Sequence, residues 1–350
     1  MRKENVKIII WGLGAMGKGM AEALLAKKGV DIVGVVGRGN KVGKSMYDFL
    51  DVKRGNRKDV IIGTRDEVIT EKAADLVLLA TDSYTRNAFD KMKFCLEKKI
   101  NVITTAEEMS YPKAKEPELT KELDKIAKEN GVTVLGTGIN PGLIMDLLVV
   151  ILTGACLDVD HIKAERVNSL SPFGTTVMHE QGVGITVDEF NQKMKEGKLA
   201  GHVGFAESVN MIADALGWKL SKKVEQTMAP IVSKVYRKTP YVEVQPGDVA
   251  GCKMLGYGYV DNELKIEMVH PQQVEPQLEG TNTGDYITIK GTPNINMSNK
   301  PEVPGGIGTI AMCINMIPQV INSRPGLKTM LDLPVPRAIM GDMREFIEEE

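Results

Sequence analysis

The stretch that most limits the fold of this chain is "KIIIWGLGAMGKGMAEALLAKKG", residues 7–29. Four apolar residues there run into Gly12, Gly14 and Gly17 and then into a helical pattern. A strand apolar on both faces must be covered on both, which calls for a parallel sheet with helices above and below. In the GxGxxG spacing the first glycine permits a tight turn, and the second lets backbone approach a pyrophosphate. The third allows close packing of helix on strand. Ala15 and Met16 fall at the start of the helix, where unpaired N–H groups and the positive dipole end suit phosphate. Gly12, Gly14, Ala15, Met16 and Gly17 are therefore expected to hold a dinucleotide. A merely tight strand–helix turn is the other reading.

The same rhythm continues. Residues 31–36, 76–80, 101–104 and 133–135 read as further short strands, and residues 16–26 as a helix with Met16, Met20 and Leu24 on one face. The expected fold class is α/β: a Rossmann-type doubly wound parallel sheet over residues 1–140. From "GINPGLIMD" onward the pattern changes to alternation, in "HIKAERVNSLS", "YVEVQPG", "NELKIEMVH" and "DYITIKGTPN". These read as antiparallel strands of a second α+β domain, residues 141–304, that binds substrate and pairs subunits. Helices near 187–195 and 205–216 interrupt it. A final helical run, 308–322, is expected to return with residues 305–350 and pack on the first domain. Two domains suit a chain of 350 residues.

Composition narrows the function. A formal net charge of −2 with scattered basic residues gives no field for nucleic acid or an anionic membrane. The most apolar run, residues 142–157, contains Asp146 and is short for a bilayer. Cys95, Cys156, Cys252 and Cys313 show neither metal-ligand nor disulfide spacing, so free thiols, a cytoplasmic location and no metal are expected.

The second strand ends in Gly37-Arg38, where an NAD-selective site would carry an acid for the ribose 2′-hydroxyl. A guanidinium there can pair with a 2′-phosphate, although Arg38 also reads as a solvated loop charge. Use of either NAD or NADP is the expectation. Thr81, Asp82 and Ser83, after the fourth strand, line the crevice at the strand ends or cap the next helix.

The next strand end carries the chemistry. In "NVITTAEEMSYP", Glu107 and Glu108 leave the sheet beside the same crevice. They read either as solvated charges or as a carboxylate serving a reaction. Neighbours in an extended chain point to opposite sides, so one of the two is expected to face substrate. On the substrate side, Asn140 and Pro141 form the turn out of the first domain, where Asn140 can hydrogen-bond substrate or carboxamide or cap a helix. Asp146 can bind an ammonium, but a helix-turn surface position is the expectation. Arg166 and Asn168 share a strand face; an arginine there can grip a carboxylate or form an interstrand ion pair. His270 can reach a cleft or be structural, and His179 is a weaker candidate. Thr292 and Asn294 read as a loop over the cleft or as plain turn chemistry.

"GLGAMG", "NVITTAEEMSYP", "GTGINPGLIMD", "RVNSLSPFG" and "GTPN" together resemble the 2,4-diaminopentanoate dehydrogenase and native amine dehydrogenase family, among the dihydrodipicolinate-reductase-like two-domain dehydrogenases. The resemblance covers nearly the whole chain. It implies oxidative removal of the C4 amine of a diamino acid in ornithine breakdown, with 2-amino-4-oxopentanoate, ammonia and reduced cofactor as products. It also implies a homodimer, pocket positions at Asn168 and Phe173, and Glu108 rather than Glu107 at the reacting centre. Where homoserine dehydrogenases carry Asn and Lys at this strand end, the chain has acids. The paired-histidine signature of dihydrodipicolinate reductases is missing from its four scattered histidines. A carboxylate suits deamination because hydride departure leaves a cationic iminium, which a nearby anion stabilises. A related reductase of a cyclic imine or amino acid, and a non-catalytic NADP-binding regulator, are the rival readings.

Overall fold

A computed structural model describes residues 2–348. In chain order the elements are β1 (Val6–Trp11), α1 (Ala15–Leu25), β2 (Val30–Val36), β3 (Ile62–Gly63), α2 (Arg65–Val68), β4 (Leu76–Leu79) and α3 (Thr85–Glu97). Next come β5 (Asn101–Thr104), α4 (Pro117–Glu129), β6 (Thr133–Gly136), α5 (Leu147–Thr153), β7 (Asp158–Ser169), α6 (Thr175–Glu180), α7 (Val187–Lys195) and α8 (Phe205–Ala215). The remainder are β8 (Glu225–Val232), β9 (Arg237–Lys238), β10 (Glu243–Val244), β11 (Val249–Val260), β12 (Glu263–Gln273), β13 (Gly284–Thr292) and β14 (Ile295–Asn299). α9 (Gly305–Asn315), α10 (Ile317–Ile321) and β15 (Gly326–Lys328) complete the chain.

Two compact units result: Met1–Leu143 with Gly306–Glu350, and Ile144–Gly305. In the first, all strand pairings are parallel and the order is β15-β6-β5-β4-β1-β2-β3. Chain order reverses between β1 and β4, the switch point at which ligands bind in such sheets. Ile9, Trp11, Val77, Leu79, Val102 and Val134 form one buried face with Met92, Leu96, Leu123 and Ala127 of α3 and α4. On the other face, Gly17 of α1 sits against Ile10, while α10 packs on β5 and β6. Sheet edges at β3 and β15 are short and were not legible as strands. The expected helix over 308–322 breaks at Met316, because Pro318 lacks the N–H that would continue it.

The second unit is built on a six-stranded sheet, β14-β13-β7-β12-β11-β8. One expectation fails here: β7 and β12 run parallel, from Ile266↔Ile162 to Gln273↔Ser169, in an otherwise antiparallel sheet. "YVEVQPG" yields only the two-residue β10. The long β11, rich in glycine, was not anticipated. Its glycines serve packing, since a Cβ on Gly256 would lie 2.5 Å from Phe205 and one on Gly258 2.7 Å from Val209, both in α8. Ile162, Ala164, Ile266, Met268, Ile287 and Ile289 are buried on this sheet. No helix among the described residues is long and apolar enough to cross a membrane.

Candidate active site

The candidate nucleotide site of the first unit lies at the carboxyl ends of β1, β2, β4 and β5. Gly12 has φ +98°, and a Cβ on it would lie 2.6 Å from Thr81 Cγ2 and 2.9 Å from the Ala80 carbonyl oxygen. On Gly17 a Cβ would fall 1.8 Å from the Gly12 carbonyl oxygen. The fold itself thus demands these two glycines. Gly14 is different: no protein atom lies within 4 Å of its would-be Cβ. It is the N-cap of α1, and no side chain caps that helix. The first-turn N–H groups, from Ala15 and Met16 onward, can therefore meet a pyrophosphate, and the loop fits the cofactor.

Arg38 is exposed and opens the single turn Gly39–Lys41. A cation that the sequence reading passed over stands beside it. Lys41 donates from Nζ to the Leu13 carbonyl at 2.7 Å, inside the glycine loop, and lies 4.9 Å from the Phe49 ring centroid. Its signal was simple: a second basic residue one short turn after Arg38.

The β4–α3 loop packs on the glycine loop through Thr81. The Thr81 hydroxyl donates to Asp82 Oδ2, and Lys91 Nζ reaches the same oxygen at 2.5 Å. Asp82 is thus ion-paired to α3. It does not cap that helix; nor does any side chain of Thr81–Tyr84, for the N-cap is Tyr84 and its side chain makes no capping bond. Glu108 supplies the cap from the next strand end. Its Oε2 accepts from the Thr85 N–H at 3.0 Å, its Oε1 lies 3.4 Å from Lys115 Nζ, and its own N–H donates to the Ser83 carbonyl at 3.1 Å. The residue is 6% exposed. Glu107 is half-buried. The pair does not continue the strand but forms a 3-10 turn, Glu107–Ser110, so strict alternation is not what separates them. The two carboxylates differ in setting all the same. Contacts from Gly12 to Thr81 and from Ser83 to Glu108 join three strand ends into one continuous rim.

Beyond β6 the chain turns at Asn140-Pro141, a cis peptide bond, with Asn140 half-buried and Pro141 buried. The turn is pinned by the Ile139 N–H, which donates to Thr309 Oγ1 at 3.2 Å.

In the second unit the inner sheet face turns polar near the end of β7. Arg166 is 2% exposed; its Nη1 pairs with Asp285, its cross-strand partner on β13, and its Nη2 donates to the Val303 carbonyl at 2.6 Å. Asp285 Oδ2 also accepts from the Val303 N–H at 2.9 Å. Of the two roles open to Arg166, the interstrand ion pair is the one present, and it fixes the 303 backbone. His270 is 1% exposed with Nδ1 2.6 Å from the Arg166 carbonyl, which makes Nδ1 the protonated nitrogen. Its ring meets His202 edge-on at 4.8 Å, with Phe205 nearby. Burial first, then His202 and Arg166, hold His270 well below the usual 6.5, so the ring is neutral. Asn168 lies on the same face and is 6% exposed. Phe173 is half-buried, packed on the Leu170–Val183–Val274 cluster and close to Gly305.

Other candidates lie elsewhere. Thr292 pairs with Asp158 at the opposite end of β7 from Asn168, and Asn294 Oδ1 accepts from the Gly291 N–H at 3.0 Å, a plain turn. His179 is exposed on α6. Asp146 is not at a surface: fully buried, it caps α5 through the Leu147 N–H at 2.7 Å and accepts from Ser208 Oγ at 2.9 Å. Among the described residues no cluster could hold a metal ion.

The family described as "2,4-diaminopentanoate dehydrogenase C-terminal domain" matches residues 143–349, and "Saccharopine dehydrogenase NADP binding domain" matches residues 8–135. The chain is 69% identical to the 2,4-diaminopentanoate dehydrogenase of Acetoanaerobium sticklandii, over 99% of its own length and 98% of that protein's. The structure of an amine dehydrogenase from Mycobacterium smegmatis matches with a TM-score of 0.85 at 27% identity, covering 97% of this chain and 99% of that one. A complex of GenD2, from gentamicin A biosynthesis, with NAD matches at a TM-score of 0.53 and 15% identity, over 94% of this chain and 90% of that one, a likeness of fold.

Proposed function

The chain belongs to the 2,4-diaminopentanoate dehydrogenase family and is an NAD(P)-dependent dehydrogenase. On that premise we propose that it oxidises the C4 amine of 2,4-diaminopentanoate, giving 2-amino-4-oxopentanoate, ammonia and reduced NAD or NADP. The observation that carries the reading is Glu108: a buried carboxylate at the carboxyl end of β5, held by the α3 N-terminus and Lys115. An anion fixed in place before reaction loses little by reorganisation when positive charge develops. Bound NAD(P) supplies the hydride acceptor. Loss of hydride from C4 leaves a carbon–nitrogen double bond bearing positive charge, which Glu108 steadies. Water then adds at C4, its proton passes to a carboxylate of the Glu107–Glu108 pair, and ammonia leaves.

Gly12, Gly14, Ala15, Met16 and Gly17 hold the pyrophosphate in this reading. Arg38 and Lys41 meet a 2′-phosphate without excluding NAD, and Thr81 with Asp82 shapes the β4–α3 loop. Asn140 and Pro141 in the first unit, and Asn168, Phe173 and His270 in the second, are the positions assigned to substrate in this reading. Arg166 organises the second-unit residues through Asp285 and Val303 rather than gripping a carboxylate. A homodimer through the outer sheet face, where Glu165, Tyr257 and Tyr286 are half-exposed, completes the proposal. The free cysteines support a cytoplasmic setting. The test is turnover of 2,4-diaminopentanoate with each cofactor, followed by absorbance and ammonia release. Cofactor reduction with stoichiometric ammonia is expected; binding of cofactor with neither would sink the proposal. Light scattering reads the dimer separately.

A further inference from the structure

Two buried residues of the second unit that are partners in strand register each carry a polar atom without a hydrogen-bond partner. Asn168 Oδ1 accepts no bond, and Gln272 Nε2 donates none. Asn168 is 6% exposed and Gln272 3%. They are register neighbours on the parallel pair β7–β12, and Gln272 is two residues from His270, on the same buried face. On the far side, Gln272 pairs in register with Cys252, whose thiol is bound to Gln181 Oε1 at 2.8 Å. Arg166, on the Asn168 face, is engaged by Asp285 and Val303. The inner face therefore offers one open acceptor and one open donor where the apolar rows of Met268 and Ala164 end. A buried polar atom without a partner is costly in a folded protein and points to a ligand that supplies one.

We propose that Gln272 is a substrate-recognition residue: its amide N–H donates to the α-carboxylate of the diamino acid, while the oxygen of its register neighbour Asn168 accepts from the α-ammonium. The inference rests on the deaminase reading above. Its chemistry is matched in sign at both ends. An amino-acid head carries acceptors on the carboxylate and donors on the ammonium, set on one carbon, and the two strand neighbours present the complementary pair. An amine without that head would leave both atoms unpaired and be selected against.

The test uses cofactor-loaded protein and two ligands, norvaline, which keeps the amino-acid head, and 2-aminopentane, which lacks it. Gln272→Met keeps the side-chain length and removes the donor; Gln272→Glu keeps the shape and places a charge against the carboxylate. Norvaline affinity by calorimetry, and 1/KM for the diamino acid, are expected to fall about tenfold in Gln272→Met and further in Gln272→Glu. Affinity for 2-aminopentane is expected to stay the same in Gln272→Met. Because the donor lacks a partner in the free protein, Gln272→Met is also expected to match or exceed the wild-type Tm without ligand, where a structural role requires a lower one. Unchanged norvaline affinity in both variants, or equal losses for both ligands, overturns the proposal. If wild-type protein binds norvaline but does not deaminate the diamine, the deaminase reading fails while the head-group site stands.

Discussion

The glycine loop of the first unit and the polar row of the second bring polar groups together by opposite means. The loop does it within six residues of chain. Its donors are backbone N–H groups at the α1 N-terminus, and its glycines remove side chains that would interfere. The polar row is gathered from β7, β11, β12 and β13, and its members are neighbours only through strand register. A local device survives changes elsewhere in the fold. A register-built device depends on every pairing that aligns it.

Breaking the ion pair that anchors the row should have the largest effect. Asp285→Ala leaves the buried Arg166 guanidinium without its partner, and a loss of about 3–5 kcal/mol is expected by chemical denaturation. A loss under about 1 kcal/mol would mean that register, not the pair, holds the row together. Next is Glu108→Gln, which can still accept from the Thr85 N–H but lacks the charge. A fall in kcat of about a hundredfold or more is expected in steady-state deamination, with cofactor Kd retained. Glu107→Gln should fall less, and the reverse order would exchange their roles.

The glycines give an internal contrast. Gly14→Ala, at φ −89°, should keep the wild-type Tm and weaken NAD(P) binding roughly tenfold by fluorescence titration. Gly17→Ala should instead lower stability by about 1–3 kcal/mol, because its Cβ would meet the Gly12 carbonyl. Equal effects at both positions would remove the distinction between ligand-facing and packing glycines.

The smallest effect is in pH. His270 is held below its ordinary value in the fold, so the unfolded chain takes up a proton first as pH falls through about 6.5. Its contribution is complete above that value and declines below it. The groups against it are His202, Phe205 and the Arg166 carbonyl. Wild-type Tm should drop more between pH 7.5 and 5.5 than that of His270→Gln; parallel slopes would assign the acid sensitivity to other groups.

How much of this was legible follows the same division. β1, the start of α1 and β5 were readable because each is specified by consecutive residues: an apolar run, a glycine spacing, β-branched residues before two acids. The parallel pairing of β7 and β12 was not readable, since alternation reports which residues share a face and not which strand lies beside it. Arg166 remained open between two roles for the same reason; its acid lies on β13, far along the chain. The residues alone left Glu107 and Glu108 open, the family resemblance favoured Glu108, and its hold on α3 was out of sight. Helix capping is normally local, and here the cap comes from the following strand end. Lys41 and Gln272 carried weak signals, a basic residue one turn past Arg38 and a polar residue two past His270.

The sequence by itself determined the nucleotide-binding end of this protein, because backbone geometry and adjacent residues are sufficient to build a phosphate cradle. Tertiary structure alone decided which buried side chains were already paired and which kept an open donor or acceptor. Partnership in a core is settled by groups brought together from distant segments, and burial makes each partnership count by weakening the competition from water.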